Sequence, residues 1–261
     1  MGYYSEIDDI DLTGGSHAEL QDLTSELVDS AGAFGMEVSS KIMVNSRKDI
    51  AANITMNEEP LEQVDNFKYL GASLSKDGIC TAEVLILIAR ATASMASLQK
   101  IWRSNTSFKT KYKLYHSLVL STLLYGCETW TLMADTEKRI QAFEMKCMRK
   151  LLRISYLERK TNKFVRARVQ SFVGPREPLL ATVNRRKLQW FGHVTRHDTL
   201  SKTILQGTVE GVRKSGRQRK SWLDNVKEWT TLSMPELLIQ ATDRAGWRRT
   251  SVSSSAVSPQ R

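Results

Sequence analysis

Between Ala82 and Trp102 seven apolar side chains, Val84, Leu87, Ile88, Ala91, Met95, Leu98 and Trp102, fall at the spacing of one helix face. A stripe of that kind leaves water only by packing on other helices. Two more helices are predicted close behind it. One covers about Phe108 to Tyr125; the other covers about Asp135 to Ile154 and presents Ile140, Phe143, Cys147 and Leu151 in near i, i+4, i+7 register. Together the three predict a small bundle. Gly174-Pro175-Arg176-Glu177-Pro178 then reads as a linker, because its prolines stop helices and favour extended chain. Further helices are expected around Leu179 to Arg196, Arg219 to Thr231 and Pro235 to Trp247, and the serine-rich residues 250–261, without periodicity, are expected to be a disordered tail.

The residues before this helical part follow a different pattern. Ser16 is placed to cap a helix with Glu19 three residues on, and Leu20, Leu23, Leu27 and Val28 continue it until Gly32 and Gly35 interrupt. Ile42 to Val44, Ile54 to Met56 and Phe67 to Leu70 read as short strands. The expected fold class is therefore mainly α with a small N-terminal α+β part, divided into residues 1–75, 76–173, 174–249 and the tail 250–261.

At 261 residues, with 41% hydrophobic and 25% charged residues, the chain can form a core and is not a largely disordered one. Its net charge of +10 conceals a sharp division. Residues 1–66 hold 3 Lys+Arg against 14 Asp+Glu, a balance of −11, whereas the remainder holds 35 against 14, a balance of +21. The second part is suited to a polyanion, although a solvated basic surface has the same composition. Cys80, Cys127 and Cys147 have no CxxC spacing, which fits a reducing compartment and no disulfide framework. Polar and acidic residues follow Met1, and the apolar run Val84-Leu85-Ile86-Leu87-Ile88-Ala89 is far shorter than the roughly 20 residues of a spanning helix. The expectation is an intracellular protein, nuclear or cytoplasmic, neither secreted nor membrane-bound.

Chemistry is concentrated at the start of the chain. In Glu6-Ile7-Asp8-Asp9-Ile10-Asp11-Leu12 the adjacent carboxylates can sit at the tip of a hairpin whose strands are anchored by Ile7, Ile10 and Leu12. Two Mg²⁺ ions about 3.5 to 4 Å apart require such oxygens, but an exposed acidic turn would look the same. The order of the segments downstream is more specific. Leu12-Thr13-Gly14-Gly15-Ser16, Phe34-Gly35-Met36-Glu37-Val38-Ser39, Lys41-Ile42-Met43-Val44-Asn45-Ser46 and Phe67-Lys68-Tyr69-Leu70-Gly71 precede Ser121-Thr122-Leu123-Leu124-Tyr125-Gly126-Cys127-Glu128-Thr129-Trp130. Met148-Arg149-Lys150-Leu151-Leu152, Leu188-Gln189-Trp190-Phe191-Gly192-His193-Val194 and Gly216-Arg217-Gln218-Arg219-Lys220-Ser221-Trp222 come next. From about Ile7 to about Arg249 this series resembles the endonuclease-reverse transcriptases of non-LTR (LINE-like) retrotransposons.

That resemblance implies a C-terminal fragment: the back of the polymerase palm in residues 1–75, a helical thumb in 76–173 and a basic C-terminal region in 174–249. It matches Asp8 to the principal metal-binding aspartate of the palm hairpin and Asp9 to its neighbour, with Mg²⁺ as the ion of the intact family. Glu6 stands where an aromatic is usual and Ile7 where Ala is usual. The second carboxylate strand of a two-metal site would lie upstream of Asp8. The chain is thus expected to be a truncated RNA-directed DNA polymerase, inactive alone and holding no stably bound metal. Lys41 corresponds either to the lysine that assists pyrophosphate departure or to a solvated strand-edge lysine, since the Val38-to-Lys41 junction is about three residues short. Phe67, Lys68, Tyr69 and Gly71 resemble the primer grip; Phe67 and Tyr69 share a strand face by period two, and a core role suits them equally.

Cations interleaved with aromatics are the remaining signal, because the former neutralise phosphates and the latter stack on bases. Arg185-Arg186-Lys187 precedes Trp190, and Arg213, Lys214, Arg217, Arg219 and Lys220 precede Trp222. These residues are the expected contacts to RNA or DNA. Trp190, Phe191, Trp222, Trp229 and Trp247 fit a helical core better than stacking platforms. His193 and His197 share a helix face by spacing but have no third zinc ligand nearby, and Gly14-Gly15 lacks the Lys of a P-loop. The alternative to a polymerase fragment is a non-catalytic RNA- or DNA-binding remnant, or an interaction module. Oligomeric state is not encoded in any of these patterns.

Overall fold

The computed structural model describes residues 12, 16–35, 41–43, 53–69, 72–75, 80–197, 202, 205 and 220–255. The chain divides into two units, Met1–Ile79 and Cys80–Arg261.

In the first unit, helix α1 (His17–Ala33) starts where expected, with the Ser16 hydroxyl accepting from the Glu19 amide at 3.2 Å. Three short ladders accompany it. Strand β1 (Lys41–Ile42) pairs in parallel with β4 (Glu62–Gln63), and β2 (Thr55–Met56) pairs antiparallel with β3 (Glu59–Pro60). The connecting Asn57 and Glu58 both take positive φ, 52° and 67°, as a two-residue hairpin of primed type requires. Strand β5 (Asn66–Tyr69) pairs antiparallel with β6 (Ala72–Ser75), with Phe67 opposite Leu74 and Tyr69 opposite Ala72. Gln21 ties α1 to β2, since its amide accepts from the Thr55 nitrogen and donates to the Thr55 carbonyl, each at 2.9 Å.

The second unit is mainly helical. Helix α2 (Thr81–Ser97) buries Val84, Leu87, Ala91 and Met95 and ends at Leu98, where a short α3 (Gln99–Arg103) sets off in a new direction. The break is fixed by Trp102, whose indole nitrogen donates to the Met95 carbonyl at 2.8 Å and satisfies an acceptor that the helix end leaves open. Helix α4 (Phe108–Leu114) runs into a π-helical turn (Tyr115–Leu120) and α5 (Ser121–Leu123). Helix α6 (Ala134–Leu152) follows, then α7 (Asn162–Val173), α8 (Leu179–Arg196) and three last helices, Trp222–Thr230, Met234–Thr242 and Arg244–Ser255.

Two elements differ from the expectation. Helix α7 lies in a stretch without a broad apolar stripe, where the sequence predicts no helix. The serine-rich tail is helical as far as Ser255: Ser251 and Ser255 are buried, and Ser251 returns its hydroxyl proton to the Trp247 carbonyl at 2.8 Å. Small serines that bond back to the helix can pack closely without presenting an apolar stripe.

One apolar core runs through this unit, from Val84 and Leu87 through Trp102, Tyr115, Trp130 and Ile140 to Phe191, Trp229 and Trp247. The Gly174–Pro178 segment connects helices that share it. The buried Glu144 of α6 accepts from the Leu179 amide at 3.1 Å and so caps α8 across that segment. Among the described residues no helix is long and apolar enough to cross a membrane.

Candidate nucleic-acid interface

Several residues marked by the sequence lie outside the described residues: Asp8, Asp9, Gly71, Arg213, Lys214, Arg217 and Arg219. No geometry for a Mg²⁺ site at Asp8 and Asp9 follows from the fold. Lys41 is exposed in β1 and pairs with Glu62 across the parallel ladder at 2.9 Å, the arrangement of an ordinary surface ion pair. Phe67 is half-buried in β5, and the backbone of Lys68 and Tyr69 continues the same strand.

The Arg185-Arg186-Lys187 run on α8 is largely committed within the protein. Arg185 forms a fork with Glu177, its Nε lying 3.0 and 3.1 Å from the two carboxylate oxygens and a terminal nitrogen 2.9 Å from Oε2. Hydrogen bonding to Glu177 holds its pKa above the usual arginine value. Arg186 is exposed and donates to the Leu124 carbonyl at 3.2 Å.

Lys187 is the clear correction. Its exposure is 0%, so its Nζ cannot reach a phosphate. Nζ donates to the Trp130 carbonyl at 2.7 Å and to Asn225 Oδ1 at 2.9 Å, and lies 4.5 and 5.4 Å from the Trp222 and Trp229 rings. Burial pushes its pKa down to about 6. Asn225 completes the cluster by accepting from the Leu132 amide at 2.8 Å and donating to the Leu132 carbonyl at 2.9 Å. Lys220, at the end of the second basic run, is ion-paired with Glu228.

A different basic surface forms around the end of α6 and the length of α7. Helix α6 stops because Arg153 adopts the left-handed conformation, φ 58°, at a position that usually takes glycine. Its guanidinium donates to the carbonyls of Trp102, Arg103 and Ser104, and buried Lys111 donates to those of Trp102 and Ser104 at 2.9 and 2.7 Å. Cations at the negative end of α3 are stabilised there by the aligned carbonyl dipoles. A tight turn (Tyr156–Glu158) then leads into α7, capped by the Thr161 hydroxyl at 3.2 Å from the Phe164 amide.

Along this stretch Lys160, Phe164, Arg168 and Phe172 follow one another at intervals of four, alternating cation and ring. The Lys160 ammonium lies 5.0 Å from the Phe164 centroid, the Arg168 guanidinium lies 4.7 Å from that of Phe172, and Phe172 packs on Phe108 at 4.8 Å. They line an open groove of about 290 Å³ that Leu151, Leu152 and Ile154 also line. Arg159 and Lys163, next to Lys160 in the chain, are exposed, and neither is ion-paired with a carboxylate among the described residues.

The sequence carried a signal for this surface. Residues 146–176 contain ten Lys+Arg and a single acidic residue, Glu158, and Val165, Val169 and Val173 recur at intervals of four. On α7 Val165 and Val169 are buried against the bundle, leaving its basic side to solvent. Metal chemistry has no comparable cluster. The rings of His193 and His197 are 4.9 Å apart, but no group of three or more His, Cys, Asp or Glu residues among the described residues could hold a metal.

Comparison with known proteins gives two relatives. Over 255 residues, which cover 92% of this chain and 91% of the relative, the sequence is 26% identical to a Caenorhabditis elegans protein described as transposon-derived. Over 128 residues, 47% of this chain, it is 27% identical to the protein of transposon X-element of Drosophila melanogaster, described as a probable RNA-directed DNA polymerase; the match spans 14% of that polymerase. No protein-family model and no solved structure matches the chain. The two similarities relate the chain to retrotransposon proteins, with a reverse transcriptase among its relatives.

Proposed function

We propose that the chain derives from the C-terminal part of a non-LTR retrotransposon reverse transcriptase, and that it works by binding RNA or DNA phosphates without template-directed synthesis of its own. In this reading residues 1–75 correspond to the back of the palm, 76–173 to the thumb and 174–249 to the basic C-terminal region. Asp8 and Asp9 are the remnant of a Mg²⁺ site. The observation that carries the reading is the groove beside α7, where exposed Lys160 and Arg168 alternate with Phe164 and Phe172 in a stretch, residues 146–176, whose sequence holds ten basic residues and one acidic residue. The names of the two relatives support the origin.

Binding through phosphates releases counterions, so affinity must fall steeply with salt. Replacing Lys160, Lys163 and Arg168 with Ala should flatten the slope of log affinity against log salt by up to about 2.7 units, at roughly 0.7 to 0.9 for each phosphate no longer neutralised. The same measurement on a variant without the cations of the Arg213-to-Lys220 run tests whether that run shares the load. A wild-type chain without salt-dependent binding would defeat the reading. Primer extension with Mg²⁺ that depends on Asp8 would instead make the chain a working polymerase.

A further inference from the structure

The turn between α6 and α7 holds two large side chains fully out in water. Tyr156 is 94% exposed and Leu157 is 86% exposed. Single exposed apolar residues are common on protein surfaces, but these two stand on a rigid support. Ser155 and Glu158 form a reciprocal cap, in which the Ser155 amide donates to Glu158 Oε1 at 2.7 Å and the Ser155 hydroxyl accepts from the Leu157 amide at 3.3 Å. The amides of Glu158 and Arg159 close the turn on the carbonyls of Ser155 and Tyr156, each at 3.2 Å.

Left-handed arginines stand on both sides of it, Arg153 at φ 58° and Arg159 at φ 47°. Side chains other than glycine occupy that region at an energetic cost and persist where surrounding contacts dictate it; here the bonds of Arg153 to the end of α3 supply them. The turn also adjoins the cationic groove, which Glu158, Lys160 and Arg168 line.

Resting on the reading of this face as phosphate-binding, we propose that Tyr156, flanked by Leu157, is the base-contacting element of the site and stacks on an unpaired base of a single strand whose phosphates lie along Lys160 and Arg168. An exposed ring carried on a capped turn that adjoins a pair of cations is the combination that binds single strands without reading their sequence, since every base has a face to stack on. Paired bases in a duplex are covered by their neighbours, so the tyrosine gives a preference for single strands.

The test uses the full chain with a fluorescein-labelled single-stranded DNA of about 12 nucleotides, mixed in sequence, and the duplex of the same length. Tyr156→Ala should weaken single-strand binding about tenfold, leave the duplex unchanged and leave the salt slope unchanged, while Tyr156→Phe should restore affinity. Because the side chain touches so little of the protein, circular dichroism and the unfolding midpoint should not move. Equal losses on single strand and duplex, or no loss on either while wild-type binding keeps its steep salt slope, would overturn the proposal and leave the phosphate-binding reading intact. A self-associated chain that Tyr156→Ala dissociates, with no change in oligonucleotide affinity, would also overturn it and assign the turn to a second copy of the protein. Absence of salt-dependent binding in the wild type would instead remove the reading on which it rests.

Discussion

Trp247 of the last helix closes directly over Gly192 of α8. Its indole nitrogen donates to the Leu188 carbonyl at 2.7 Å, and a Cβ on residue 192 would stand 2.2 Å from the ring. The glycine lies inside a helix, where alanine would ordinarily be favoured by about 1 kcal/mol. Contact with a buried tryptophan reverses that preference. Gly192→Ala should therefore destabilise the chain by about 1–3 kcal/mol, as overpacked cores do. Urea unfolding followed by tryptophan fluorescence measures it, and a higher midpoint for the variant would contradict the packing described.

Lys187 makes stability depend on pH. Its folded pKa is depressed to about 6, well below its ordinary value of 10.5. Between those values the unfolded chain binds a proton that the folded chain does not, so stability falls as pH falls from 10.5 towards 6, by at most about 1.4 kcal/mol per unit. Lys187→Met should flatten this part of the pH dependence. Unfolding midpoints of wild type and variant between about pH 6 and 8 provide the comparison, a range that stays below the ordinary thiol value of 9.0, above which the unfolded Cys127 and Cys147 would ionise while burial keeps the folded thiols protonated up to about 11 and 12. Parallel curves for the two proteins would show that Lys187 is not the titrating group.

Asn225 is buried and holds three partners at once, the two backbone groups of Leu132 and the Lys187 Nζ. Asn225→Ala takes this partner from both backbone groups of Leu132 and leaves Lys187 only the Trp130 carbonyl, and unsatisfied buried groups are expensive in a low-dielectric interior. A loss of about 3 kcal/mol is expected. Combining it with Lys187→Met should be less damaging than the sum of the single changes, since the lysine is one of the partners that lose a bond to Asn225. Additive losses in that cycle would show that the two side chains do not act as a unit.

The Tyr115 hydroxyl is buried with no hydrogen-bond partner among the described residues, and burial raises its pKa well above the ordinary tyrosine value. Removing an unsatisfied polar group while keeping the ring should help. Tyr115→Phe is expected to stabilise by about 1 kcal/mol, read as a higher thermal midpoint. A clear destabilisation would mean that the hydroxyl has a partner in solution, such as an ordered water.

Sequence alone determined the elements whose information is local. Apolar periodicity marked the stripes of α2, α6 and α8, and the Ser16 cap placed the start of α1, because both depend on residues within a turn or two of each other. It also showed that the chain turns basic after residue 66. Which cations face solvent was decided elsewhere. Lys187 follows two arginines in the sequence and looks like a third surface charge, yet it is buried by partners 57 and 38 residues away. Helix α7 and the Tyr156 turn are only faintly marked, because the helix buries only a narrow row of valines and the rest of it is mostly polar. Burial, and with it the line between a structural lysine and one that can meet a phosphate, is a property of contacts between distant segments. Those contacts exist only once the helices have packed.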